Sequence, residues 1–252
     1  DCPVFIAPAM DLDMFQHPAL KPNLEKVISF GNQLINSTSG ELASGLNGEG
    51  RMEEPEEIVR QLEAYQLDGP LSGKTVLITA GPTHEAIDPV RFIGNHSSGK
   101  MGFAIAAYAS SLGADVVLIS GPVNLTPPKG VHYIAVKSAD EMYEAVFLHQ
   151  STYDIGVLAA AVADYKPLTV AAQKIKKTSN DHQLELVKNR DILKSLGEVK
   201  KEKQLLVGFA LETENEIENA LIKLTKKNLN MIVLNSLNDN GAGFSVDTNK
   251  VK

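Results

Sequence analysis

The sequence predicts an α/β fold built on a Rossmann-like, doubly wound, mostly parallel sheet. Three observations predict it. Short apolar runs at residues 75–79, 115–120, 131–136, 154–161, 205–209 and 231–235 have the length and β-branched content of strands buried on both faces. Segments with helical spacing at 100–112, 139–149 and 214–227 lie between them. The first of these runs also leads into a loop dense in Gly, Pro, Ser, Asn and His, spanning 78–102, which ends as a helix start. A buried strand, such a loop and a helix N-terminus are how α/β folds build sites for anionic ligands. Alternating strands and helices imply right-handed crossovers, with the ligand crevice at the C-terminal strand ends.

Taken in order, residues 3–8 predict a short buried strand and 10–14 a loop or helical turn. Residues 23–30 have helical spacing through Leu24, Val27 and Ile28. Residues 33–36 predict a short strand. Residues 39–52 read as a loop, because they carry Gly40, Gly45, Gly48 and Gly50. Residues 55–65 predict a helix, with Pro55 at an N-terminal position, acids in the first turn, and Ile58, Leu62 and Tyr65 on one face. Gly69, Pro70 and Gly73 then mark a boundary, so the chain divides into 1–67, a linker at 68–73, and 74–252. In the second section Gly113 suits the C′ position after the helix at 100–112, and Ser138 suits the N-cap of the helix at 139–149.

Composition narrows the function classes. The 252 residues, 43% hydrophobic and 22% charged, suit a soluble globular protein with one large domain, or one domain and a piece of another. The net charge of −7 argues against a nucleic-acid binder and leaves small anionic substrates open. With one cysteine, Cys2, no intrachain disulfide forms, which fits a reducing compartment and a cytoplasmic protein. No apolar run reaches the ~18 residues of a membrane span. The chain opens on Asp1-Cys2-Pro3 and stops at Val251-Lys252 just after a loop. The expectation is a piece cut at both ends.

Four stretches carry candidate chemistry. From Gly94 to Lys100 the chain nearly fits a P-loop, but Met101 stands where the magnesium-holding Ser or Thr belongs, and the strand ends about fifteen residues too early. The dinucleotide pattern Gly-x-Gly-x-x-Gly is absent too. Two readings remain. Arg91, Asn95, Ser97 and Ser98 with helix-start N–H groups cradle a phosphate, or the Ser and Asn side chains merely cap the helix. Ala160 and Ala161 leave room for a ligand near the backbone, and Asp164 there accepts from a ribose or base, faces magnesium, or caps a turn. Lys174, Ile175, Lys176 and Lys177 lie in the long connection 166–184, as a lid over phosphates or as a solvated charge run. Lys223 and Lys227, four apart, face a polyphosphate or complement the helix dipole. His84, His96 and His132 have no metal-ligand spacing, and no Ser-His-Asp pattern is present.

These motifs resemble a known family. Ile78 through Thr83 with Glu85, Ile87 through Arg91, Asn95 through Gly102, Ala160 through Tyr165, and Lys174 through Lys177 stand in the order and spacing of phosphopantothenate–cysteine ligases of coenzyme A biosynthesis. The resemblance implies a two-step reaction. The carboxylate of 4'-phosphopantothenate attacks the α-phosphate of CTP, with magnesium, to give an acyl-cytidylate and pyrophosphate. The amine of L-cysteine then displaces CMP. It also implies catalytic roles for Arg91, Asn95 and Lys174, with Asn95 on the acyl-cytidylate and Lys174 closing over it. Nucleotide or substrate binding falls to Gly81, Ser97, Ser98, Gly99, Lys100, Ala160, Ala161, Asp164, Phe209, Lys223 and Lys227.

The first section is similar to the end of flavin-dependent phosphopantothenoylcysteine decarboxylase, a flavodoxin-like domain fused upstream of the ligase in most bacteria. The resemblance rests on Ala7-Pro8-Ala9-Met10 with Met14, Ala43 with Gly45, and Gly48 through Met52. It makes Met10, Asp11, Ser44, Arg51 and Met52 a decarboxylase remnant. This chain departs from the family at Asp11, where Asn is usual, at Phe15, where Trp is common, and at Ser44, where many members carry Cys. The family's catalytic His and most FMN contacts belong to a part this chain lacks, so the chain alone is expected not to decarboxylate. The resemblance further implies a homodimer through the ligase domain and a larger assembly for the full-length protein. Two other classes stay in view. One is a fragment that binds CTP and phosphopantothenate without turnover. The other is an NAD(P)-dependent reductase, disfavoured because the second strand of the sheet ends in Ile119-Ser120 rather than an acid.

Overall fold

A computed structural model describes residues 3–67, 69–176, 183–212, 214–236 and 250–252. The sequence readings on Cys2 and Lys177 fall outside these residues. Backbone contacts divide the chain into two compact units, Asp1–Asp68 and Gly69–Lys252.

The first unit runs β1 (Phe5–Ile6), α1 (Leu12–Phe15), α2 (Leu20–Ser29), β2 (Gln33–Leu34), β3 (Thr38–Glu41), β4 (Asn47–Arg51) and α3 (Pro55–Leu67). β1 and β2 pair in parallel, Phe5 beside Gln33. α2 starts three residues before the expected helix, at Leu20, because Pro22 is tolerated in a first turn whose N–H groups have no helical partner. The larger correction concerns 39–52. It is a β-hairpin, β3 antiparallel to β4, not a loop. Gly45 supplies the left-handed turn residue at φ 82, while Gly40 and Gly48 sit opposite each other in the ladder. Glycine density marked the turn correctly and hid the strands beside it.

The second unit holds β5 (Thr75–Ala80), β6 (Glu85–Ala86), β7 (Phe92–Ile93), α4 (Lys100–Ser111), β8 (Asp115–Ser120), β9 (His132–Ala135), α5 (Ala139–Leu148), β10 (Ile155–Leu158), β11 (Tyr165–Pro167), β12 (Leu186–Lys188), α6 (Ile192–Val199), β13 (Leu205–Glu212), α7 (Glu216–Lys226) and β14 (Met231–Ser236). Six strands form one sheet in the order β14-β13-β10-β5-β8-β9, and every pair is parallel. The chain therefore winds outward from β5 in one direction and from β10 in the other. The switch point falls between β5 and β10, where doubly wound folds open a crevice.

The two faces of the sheet follow from strand alternation. Leu77 packs with Val117, Ile119, Met142, Val146, Leu196 and Leu206. Its neighbours Val76 and Ile78 pack on the other side with Phe103, Ala106, Ala109, Val116 and Leu118. α4 lies close to the sheet because its inner face is small: a Cβ on Gly102 would stand 2.5 Å from the Ala80 Cβ. Both predicted caps are present. Ser138 accepts from the Glu141 N–H, and Gly113 takes φ 85.

Two boundaries differ from expectation. β10 ends at Leu158 rather than residue 161: beyond it the Ala159 and Ala161 N–H groups still donate to the Thr79 and Gly81 carbonyls, but the ladder is reduced to an isolated Pro82–Ala161 bridge. β13 runs on to Glu212 because β14 gives it a partner along that length. α6 was not foreseen. Its signal is plain in hindsight: Asp191 caps it by accepting from the Lys194 N–H at 2.9 Å, and Ile192 and Leu196 are buried one turn apart.

Candidate functional site

The crevice begins where β5 ends. Gly81 turns the chain at φ 73, and a Cβ there would meet Val123 at 2.9 Å, so only glycine fits. Beyond it the loop is sewn to the chain that leaves β10. The Thr83 N–H donates to the Ala161 carbonyl at 3.3 Å, and the Ala163 N–H donates to the Thr83 hydroxyl at 2.9 Å. The Asn95 amide also donates to the Ala161 carbonyl, and its Oδ1 accepts from the Ser97 N–H at 3.1 Å. Two motifs 66 residues apart in sequence thus meet at one carbonyl.

Ser97 accepts from the Gly99 N–H at 3.4 Å, and Gly99, at φ 77, is the N-cap of α4 with no side-chain cap bond of its own. Side-chain bonding by Asn95 and Ser97 to N–H groups of the turn ahead of α4 is therefore present. It organises the backbone ahead of a helix N-terminus, the kind of place where N–H groups and the helix dipole favour an anion. Ser98 is half-buried beside them, and Lys100 is exposed at the first turn.

On the other side of the switch point lies a cleft of about 180 Å³. Of the residues singled out from sequence, it is lined by Ala160, Asp164, Phe209 and Lys227. Lys227 is held by Asp191, with Nζ 2.8 Å from Oδ2. Sequence reasoning missed the opposite wall, formed by Asn189, Arg190, Asp191, Ile192 and Leu193. The Asn189 amide donates to the Ala163 carbonyl at 2.8 Å, while its Oδ1 is buried without a hydrogen-bond partner. A buried acceptor left open beside a cleft is an unmet demand for a donor. Arg190 is held away at the rim, on Glu144 at 2.8 Å and over the Tyr143 ring at 3.8 Å. Lys166 and Arg190 together hold the Asp140 carboxyl below its ordinary range, Lys166 contributing most.

Arg91 and Lys174 do not line this cleft. Arg91 belongs to a hairpin, β6 antiparallel to β7, that projects from the loop. Its Nε donates to Asp88 Oδ2 at 3.0 Å, and its Nη2 donates to the Ile175 carbonyl at 2.9 Å. The Asp88 carboxylate is fully buried, and Arg91, helped by backbone N–H groups, holds it well below the usual carboxylate range. Nearby Glu85, also buried, accepts from the Ala139 N–H at the start of α5. His84 stacks on Phe92 at 3.8 Å between centroids, and burial lowers its pKa. Lys174 is exposed on the segment carrying Ile175, and Lys223 is half-buried one turn before Lys227 on α7.

In the first unit, Asp11 and Ser44 come together: the Ser44 hydroxyl donates to Asp11 Oδ1 at 2.8 Å, and Asp11 caps α1. The Met10 N–H donates to the Gly50 carbonyl. Arg51 pairs with Glu54 at 2.6 Å, and Met52 is exposed. Among the described residues no cluster of His, Cys, Asp and Glu is placed to hold a metal by itself, and no helix is long and apolar enough to cross a membrane.

The sheet order and the polar cleft at its switch point define a doubly wound α/β protein with its crevice where folds of this class place their ligands. Residues 71–252 match the family described as DNA/pantothenate metabolism flavoprotein C-terminal domain, and residues 1–66 match the family described as Flavoprotein. A prokaryotic cysteine/cysteine sulfinic acid decarboxylase is 54% identical over 99% of this chain and 71% of its own length. The coenzyme A biosynthesis bifunctional protein CoaBC of Bacillus subtilis is 52% identical over 99% of this chain. A crystal structure of the C-terminal domain of a CoaBC protein is 52% identical, covers 68% of this chain and 79% of that one, and superposes with a TM-score of 0.59. The chain belongs to the DNA/pantothenate metabolism flavoprotein family, alongside the CoaBC proteins. It spans 62% of the length of the Bacillus subtilis relative.

Proposed function

We propose that the second unit is the ligase of coenzyme A biosynthesis, joining 4'-phosphopantothenate to L-cysteine through an acyl-cytidylate made from CTP. The observation that carries this reading is the bond between the Asn95 amide and the Ala161 carbonyl at the switch point. It brings the loop before α4 and the chain after β10 to one place, where a phosphate on the α4 side would adjoin a nucleoside in the cleft.

The roles follow from position. Asn95, with Ser97, Ser98, Gly99 and Lys100 around the α4 N-terminus, seats the reacting phosphate. Gly81 lets the backbone approach it. Ala160 and Ala161 leave room for the ligand, Phe209 offers an apolar wall, and Asp164 accepts from a ribose hydroxyl. Asn189 Oδ1 suits an amine donor such as a nucleobase NH₂. Lys223 and Lys227 face the pyrophosphate end from α7, and Lys174 closes over the intermediate. The chemistry asks mainly for positioning and for stabilising charge that grows on phosphate. Of the carboxylates lining the cleft, Asp191 is taken by Lys227 and Asp164 faces the ribose, so a magnesium ion would rest mainly on the nucleotide phosphates. That ion would neutralise charge on the leaving pyrophosphate.

The test is pyrophosphate release from CTP and 4'-phosphopantothenate, with ATP as the competing nucleotide. Asn95→Ala is expected to slow it about 100-fold, the loss typical of one oriented donor. An unchanged rate in that variant would break the site assignment even with the activity intact, and no release at all would favour a binding fragment.

For the first unit we infer a piece of a larger FMN-binding decarboxylase domain. Parallel strands such as β1 and β2 occur almost always in wider sheets covered on both faces. FMN would supply the redox chemistry there, and the chain alone should not release carbon dioxide from 4'-phosphopantothenoylcysteine. The prokaryotic relative named for cysteine decarboxylation favours a second reading, in which the complete protein decarboxylates cysteine or its sulfinate. Carbon dioxide from cysteine without CTP would support it. A cytoplasmic homodimer, without membrane or nucleic-acid partners, completes the proposal.

A further inference from the structure

The loop 87–91 and the segment 171–176 are tied together by an arrangement that no part of the ligase chemistry requires. The Asp88 side chain is fully buried, yet it is a carboxylate. Its Oδ1 accepts from the N–H groups of Val90 at 2.8 Å and Arg91 at 2.9 Å, which closes the turn it sits in. Its Oδ2 accepts from Arg91 Nε and from the Ile175 N–H at 3.1 Å. Arg91 Nη2 then donates to the Ile175 carbonyl. One residue of the segment is thus gripped by both polar groups of its backbone. The Ala171 N–H adds a second tie to the Ile87 carbonyl at 3.0 Å.

Burying a carboxylate is costly unless it is paired and hydrogen-bonded, and this one is both. One of those bonds goes to the backbone of a segment that is largely exposed and has no strand or helix of its own. Lys174 and Lys176 flank the gripped residue on either side, and both are exposed. Holding Ile175 sets where those two side chains start and leaves their ammonium groups free to swing.

We propose that Asp88 is a positioning residue that, through Arg91, holds the Ile175 backbone and so sets the reach of Lys174 and Lys176 toward a phosphorylated ligand. The consequence for rate rests on the ligase reading, while the tether itself does not. Arg91 then acts at least in part through the segment rather than only on the substrate.

Two measurements on the full chain test this. Hydrogen exchange without ligand reads the tether: in Asp88→Asn the Ile175 amide should exchange about tenfold faster or more, with β5 and β8 amides unchanged. Unchanged exchange at Ile175 would overturn the proposal whatever the enzyme does. Kinetics read the consequence. Asp88→Asn should lower kcat for pyrophosphate release about tenfold, with KM for CTP within about twofold. Combined with Lys174→Ala and Lys176→Ala, it should add no further loss, because the tether acts through those two lysines. Losses that multiply would refute the coupling. If Asp88→Asn does not fold, Ile175→Pro removes the same N–H from the exposed side, and a full rate in that variant would equally overturn the proposal. A wild-type chain that releases no pyrophosphate sinks the ligase reading and leaves the exchange result to judge the tether.

Discussion

The two sides of the crevice are built by different means. The cleft side grows directly from strand and helix ends: β10, β13, the α6 N-cap and α7. Its polar groups are fixed by elements that pack in the core, as Asp191 both caps α6 and holds Lys227. The loop side is a long excursion between β5 and α4 that carries the short β6–β7 hairpin and ties down the segment 171–176 that follows β11. Its order comes from side chains bonded to backbone far away in sequence. Rigid walls come cheaply from secondary structure, and a loop needs buried polar groups to reach similar definition.

That contrast can be broken by experiment. The largest effect should come where the sides share the core. Gly102→Val forces a side chain against Ala80 and should cost about 3 kcal/mol, read as a lower Tm of the second unit. A neutral result would show that α4 can move away from the sheet, and the loop side would then be softer than its bonds suggest. Next is Lys227→Ala on the cleft side. It should raise KM for CTP about tenfold with little change in Tm, since Lys227 is partly exposed and its ion pair with Asp191 is modest. A loss of stability instead of affinity would make that lysine structural.

The smallest effect is a pH signature of the loop side. Burial lowers the His84 pKa from 6.5, so the folded protein binds that proton more weakly than the unfolded chain. Its contribution is present above pH 6.5 and is lost as pH falls from there through the depressed folded value. His84→Gln should flatten the dependence of Tm on pH just below 6.5. An unchanged slope would mean that His84 is as solvated folded as unfolded. Asp88 titrates far lower and should keep its tether over the same range.

Much of this was legible in the sequence, and the exceptions have reasons. The six central strands, the Ser138 cap and the Gly113 end were readable because they depend on periodicity and on single-residue geometry. Ala160, Asp164, Phe209 and Lys227 were picked out one by one, and they do line one cleft. The wall from Asn189 to Leu193 was missed although Asp191 and the apolar spacing after it announce a capped helix, because a short helix inside a long connection is easily read as loop. The hairpin at 38–51 was lost to its own glycines, which spoke for the turn and concealed the ladder.

By itself, then, the sequence determined the strand-and-helix alternation, the switch from β5 into a loop that leads to a helix start, and the residue types available there. Those are local matters: side-chain volume, branching and backbone freedom act within a few residues. Only the tertiary structure decided that Asn95 would meet Ala161, that Lys227 would be held by Asp191, and that Asp88 would reach the Ile175 N–H 87 residues on. No local preference selects among the many carbonyls and N–H groups a side chain could meet. The packed sheet does, by setting which loops lie side by side and leaving buried polar groups no partner but each other.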